Sequence, residues 1–120
     1  MLDASYKKGM LAEQLAARFL TQSQSMTILA HRYKTYVGEV DLIVMDSQKI
    51  LIAIEIKLRR TIDDARYAIT TYQQERIMQA LEIFLCHHPY IIYEGIRFDA
   101  ILFNKDLSEK LYVKNAWIPM

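Results

Sequence analysis

A chain of 120 residues, 52% hydrophobic and 24% charged, has room for one hydrophobic core and is too apolar to be disordered, so residues 1–120 read as a single domain. Its formal net charge of +1 weighs mildly against a dedicated nucleic-acid binder, which is usually strongly basic, but carboxylates in a site can cancel basic residues in the total. Cys86 stands alone, which excludes an intramolecular disulfide and fits a reducing cytoplasm. The N-terminus carries no apolar signal core and the longest clean apolar run, Ile50 to Ile54, is far too short to span a bilayer. The expectation is a soluble cytoplasmic protein with no membrane partner.

The first element is a helix from about Ala4 to Thr21, where Ala12, Leu15, Ala16, Phe19 and Leu20 form an apolar stripe at helical spacing. Glu13 lies at the margin of that stripe, as a solvated helical glutamate or as a group turned toward a site. Met26 to Tyr33 reads as a strand, apolar at Ile28 and Leu29 and basic near its end at Arg32 and Lys34. Tyr36-Val37-Gly38 marks a turn.

Gly38 to Lys57 is the most informative stretch. Two apolar runs rich in β-branched residues, Val40–Met45 and Ile50–Ile56, are separated by Asp46-Ser47-Gln48-Lys49. Each has the length of a strand, and so short a connection predicts an antiparallel hairpin. Alternation puts Val40, Leu42 and Val44 on one face, with Glu39, Asp41, Ile43 and Met45 on the other. On the second strand Ile50, Ile52, Ile54 and Ile56 oppose Leu51, Ala53, Glu55 and Lys57. Both faces are largely apolar, so the strands should lie in the middle of a sheet covered on both sides.

If the hairpin pivots on Gln48, Asp41 faces Glu55 and Glu39 faces Lys57. Opposed side chains in a sheet have Cβ atoms about 4.5–5.5 Å apart. Two carboxylates at 4 Å repel by about 4 kcal/mol when the effective dielectric is near 20. A divalent cation reverses the sign of that interaction, because a hard cation gathers carboxylate oxygens. Asp41 and Glu55, with the Lys57 ammonium beside them, therefore outline a metal-assisted site for cleaving phosphodiesters, with a divalent cation as the cofactor.

Beyond Lys57, Arg59 and Arg60 precede Thr61-Ile62-Asp63-Asp64, a helix N-terminus that predicts one long helix reaching about Cys86. Its apolar stripe runs through Ile69, Ile77, Ala80, Leu81 and Phe84 and is interrupted by Gln73. A buried amide needs partners, so Gln73 meets backbone or reaches the site as an accessory group. His87 and His88 lack zinc-ligand spacing and suit the end of a helix. Ile91–Phe103 predicts a further strand, in which Asp99 reads as structural, and Lys110–Val113 a short edge strand. Helix, three strands, helix, strand describes an α/β sandwich around a central mixed sheet.

Gly38-Glu39-Val40-Asp41-Leu42-Ile43 followed by Ile54-Glu55-Ile56-Lys57-Leu58-Arg59-Arg60 resembles the signature of the bacterial YraN family. That family belongs to the PD-(D/E)xK, restriction-endonuclease-like superfamily. Gly9, Glu13, Ala16 and Leu20 resemble its first helix, Arg97-Phe98-Asp99 its late strand and Asn115-Ala116-Trp117 its ending. The chain departs from the family at Gln73, where a lysine is usual, and at Arg32, where an asparagine is common. The resemblance implies an α-β-β-β-α-β restriction-endonuclease-like fold and a nuclease that depends on Mg²⁺ or Mn²⁺ and acts on DNA, branched or single-stranded forms included. Asp41, Glu55 and Lys57 would be catalytic, with Asp41 and Glu55 holding the metal and Glu39 and Glu13 adding a second ion or outer waters. Arg59, Arg60, Arg32 and Lys34 would contact phosphates. Two other classes remain open: a non-cleaving module that binds nucleic acid or protein, and a structural ion-pair network. A dimer is compatible with all three.

Overall fold

A computed structural model describes residues 3–119. The elements are α1 (Ala4–Gln22), β1 (Thr27–Lys34), β2 (Glu39–Met45), β3 (Ile50–Leu58), α2 (Ile62–Tyr67), α3 (Thr71–His87), β4 (Gly95–Phe103) and β5 (Lys110–Val113). The strands form one sheet in the order β1-β2-β3-β4-β5, antiparallel throughout except for the parallel pair β3–β4. This is the mixed α/β sandwich expected from the sequence, compatible with a restriction-endonuclease-like core. Among the described residues no helix is long and apolar enough to cross a membrane.

The central hairpin has the expected register. Met45 pairs with Leu51 and Leu42 with Ile54, which places the pivot at Gln48. The Asp46 carboxylate accepts the N–H groups of Gln48 and Ile50, each at 2.9 Å, and closes the turn. Alternation then builds two cores. Leu42, Val44, Ile52 and Ile54 pack against Ala12, Ala16 and Leu20 of α1, while Ile43, Leu51 and Ala53 pack against Ile77, Ala80, Leu81 and Phe84 of α3. Each fully buried leucine, isoleucine or phenylalanine contributes about 1.5–3 kcal/mol relative to exposure, so the two layers hold the sheet from both sides.

Three expectations need correction. Alternation breaks at Val40, which is fully buried in the α3-side core together with Ile43 instead of facing α1 with Leu42. The backbone is irregular alongside: Arg32, on the neighbouring strand, takes the left-handed φ of 46°. The single long helix is two, because Thr61 and Thr70 each cap a start. Thr61 accepts the Asp64 N–H at 3.0 Å and Thr70 the Gln73 N–H at 3.1 Å. The late strand begins at Gly95, not Ile91, because its ladder partner β3 begins at Ile50.

Two local devices lock the frame. A Cβ on Gly38 would lie 2.9 Å from the Arg76 carbonyl oxygen, so only glycine lets the start of β2 approach α3 this closely. Asp99 is fully buried and structural, as its strand position predicts. It receives Arg97, the Tyr112 hydroxyl and the Asn115 N–H, which fastens β5 and the C-terminal segment to β4.

Candidate active site

β2 and β3 pair only as far as Leu42 and Ile54, although both strands continue beyond that point. From there β2 stays with β1, and β3 stays with β4 out to Leu58 and Phe103. The strands part at Asp41 and Glu55. Into this opening Asp41 turns its carboxylate, and Oδ2 accepts the Ile56 N–H at 2.8 Å, standing in for a ladder bond. The Asp41 carboxyl group lies close enough to Glu55 to feel its charge.

Glu55 is 3% exposed. Its Oε2 takes two donors: the Lys57 ammonium at 3.0 Å and the Gln73 amide. Gln73 thus reaches the site and not merely backbone. Each carboxylate has one oxygen tied to protein, Oδ2 of Asp41 and Oε2 of Glu55. Burial first, and the adjacent Glu55 charge second, push Asp41 up to about 8, while the Ile56 N–H and Lys57 pull it down. At neutral pH Asp41 therefore retains its proton.

Around Asp41 a cavity of about 540 Å³ opens between α1 and the sheet. Its wall includes Ala12, Glu13, Ile56 and Leu58 and four basic residues, Lys8, Arg59, Arg60 and Lys105. Of the basic residues expected to contact phosphate, Arg59 and Arg60 line it. Arg32 instead gives its Nε to the Glu13 carboxylate at 2.7 Å, tying β1 to α1. Lys34 pairs in register with Glu39, away from the cavity wall. Glu39 is not brought to Asp41 at all. It lines a second cavity of about 370 Å³ on the α3 side, with Gly38, Thr70, Tyr72, Gln73 and Arg76. Lys57 accordingly meets Glu55 rather than Glu39.

Lys8 and Lys105 escaped the sequence reading. Lys8 precedes Ala12 by one helical turn, a spacing that could have placed it beside the core stripe. Lys105 had no such signal. It reaches the cavity because β4 runs parallel to β3 and ends next to it, where the Arg59 N–H meets the Phe103 carbonyl at 3.2 Å.

The donor chemistry suits a hard dication that keeps much of its water. Mg²⁺ is commonly held by one or two carboxylates plus substrate phosphate, and Asp41 with Glu55 is such a pair. Among the described residues no group of three or more His, Cys, Asp and Glu side chains is arranged to hold an ion, as an all-protein cage would require. Glu13 lines the same cavity as Asp41 with its carboxylate engaged by Arg32, whereas Glu39 lines the other cavity.

The family described as "Uncharacterised protein family UPF0102" matches residues 12–103. The chain belongs to the UPF0102 family. The YraN resemblance in the sequence is to this same family. A UPF0102 protein of Rhodopseudomonas palustris is 43% identical over 99 residues, covering 82% of this chain and 75% of its own length. UPF0102 proteins of Azorhizobium caulinodans and Nitrobacter winogradskyi are each 40% identical, over 104 and 102 residues. These alignments cover 87% and 85% of this chain, and 78% and 85% of the relatives. The UPF0102 match takes in Glu13, Asp41, Glu55, Lys57 and Gln73, whereas Lys8 and Lys105 fall outside it.

Proposed function

We propose that this UPF0102 protein is a Mg²⁺- or Mn²⁺-dependent nuclease that hydrolyses phosphodiester bonds in DNA. The supporting observation is Asp41 at the wall of a cavity lined by four basic residues, with the buried Glu55 and its partner Lys57 behind it. A structural ion-pair network would match each carboxylate with a cation. Here, among the described residues, Lys57 pairs with Glu55 alone, and the neighbouring Asp41 carboxylate has no cation of its own, so it needs a proton or a bound cation to relieve it.

A divalent cation bound there supplies Lewis acidity and a more acidic water. Asp41 and Glu55 hold it through their oxygens, and Gln73 and Lys57 keep Glu55 in place. Lys57, with 14% of its side chain exposed, keeps a fixed positive charge in a poorly hydrated position, where it stabilises charge developing on the phosphate. Arg59, Arg60, Lys8 and Lys105 hold neighbouring phosphates and orient the chain.

The test is incubation of linear, nicked, flapped and four-way DNA, and RNA, with either metal, resolved on denaturing gels. Cleavage is expected from the wild type and lost in Lys57→Ala with binding largely kept, because that ammonium acts in the transition state. Cleavage undiminished in Lys57→Ala would overturn the assignment. Tight metal-independent binding without cleavage would assign the chain to the non-cleaving class.

A further inference from the structure

The carboxylate pair lies between two cavities on opposite faces of the sheet. The cavity on the α1 side, at Asp41, is basic. The one on the α3 side contains Gln73, whose amide touches Glu55, together with Tyr72 and Arg76. The parting of β2 and β3 lies between them. Tyr72 is 67% exposed, and the Arg76 guanidinium sits 5.3 Å from its ring centroid and donates to its hydroxyl. A large aromatic ring steadied by an arginine and left open to solvent is a platform for a flat partner, and any nucleobase has such a face.

The depth of the pair limits what can reach it. Glu55 is almost wholly buried, and Asp41 opens into a cavity roofed by the N-terminal half of α1. At about 540 Å³ that cavity is in the size range of small-ligand clefts, about 300–1,000 Å³. The phosphates of a stacked duplex lie on a stiff, wide cylinder that cannot enter such a space without being unpaired. A single strand can bend one phosphate inward and leave its bases outside.

Resting on the nuclease reading, we infer that the substrate is single-stranded nucleic acid that crosses the sheet where β2 and β3 part. Its backbone lies against Lys8, Arg59 and Lys105 on the α1 side, and one base stacks on Tyr72 on the α3 side. Duplex is excluded from the site.

The experiment measures binding separately from cleavage. Asp41→Asn removes a metal ligand while leaving an acceptor for the Ile56 N–H, so it binds without cutting. Fluorescence anisotropy of this variant is recorded with a labelled 20-mer single strand and its duplex between 50 and 200 mM salt. The single strand should bind at least tenfold more tightly. Adding Tyr72→Ala should weaken it by about an order of magnitude, the scale of one base stack, and Tyr72→Phe should restore it. Adding Lys105→Ala should lower the salt slope by about 0.7, one phosphate contact. Circular dichroism confirms that each variant is folded. Equal or tighter duplex binding, no binding, or indifference to Tyr72→Ala would each overturn the inference. Single-strand binding at both cavities without metal-dependent cleavage by the wild type would keep the path of the strand but make it a ligand and not a substrate, removing the nuclease. Equal cleavage of duplex would do the opposite.

Discussion

At the scale of single residues, the proton held at Asp41 has a measurable consequence. Asp41 titrates at about 8 in the fold and near 4 in an unfolded chain. Between those values the folded state holds a proton that the unfolded state has released, so stability falls as pH rises through the window. Urea midpoints measured from about pH 4 to about 8 should drop in the wild type and drop less in Asp41→Asn. A steeper fall in Asp41→Asn would show that Asp41 is not the group responsible. Gln73 carries a second prediction. It donates to a buried carboxylate, and bonds to charged groups contribute about 1.5–3 kcal/mol, so Gln73→Leu should lose stability on that scale. It should also weaken metal binding by releasing Glu55, as isothermal titration with Mn²⁺ would register. The carboxylates themselves stood out in the sequence as charges in otherwise apolar strands. The raised pKa did not, because burial, its first cause, depends on α1 and the sheet closing around Asp41.

At the scale of elements, the site exists because two strands separate at a defined point. Alternation predicts faces only while a ladder is regular. It holds from Leu42 to Met45 and fails at Val40, where the irregularity beside Arg32 carries Asp41 into the gap. The close approach of β2 to α3 depends on Gly38. Gly38→Ala sets a methyl 2.9 Å from the Arg76 carbonyl, a backbone atom that cannot swing away. Overpacking of this kind costs about 1–3 kcal/mol, and thermal unfolding should show the loss. Wild-type stability in Gly38→Ala would mean that β2 and α3 can move apart freely. The break between α2 and α3 was legible in principle: Thr70 followed three residues later by Gln73 is the pattern of a capping box. The apolar stripe through Ile69 and Ile77 masked it.

At the scale of the whole molecule, an ion that binds only the folded protein should stabilise it. At a hundred times its dissociation constant, Mg²⁺ or Mn²⁺ should add about 2.7 kcal/mol, seen as a rise in melting temperature that Asp41→Asn abolishes. The rise should grow with pH up to about 8, since the ion displaces the proton held at Asp41. An identical rise in Asp41→Asn would place the ion elsewhere. Sequence periodicity by itself determined the α/β class, the hairpin register about Gln48 and the adjacency of Asp41 and Glu55, because these follow from local alternation and a short turn. Its +1 net charge concealed the basic cavity, for a sum over the chain carries no positions. Only the tertiary structure decided that Lys105 joins Arg59, that Arg32 goes to Glu13 and that Glu39 lies on the other face. Each of those contacts joins separate elements, and which distant side chains meet is set by how helices and strands pack, which local spacing does not encode.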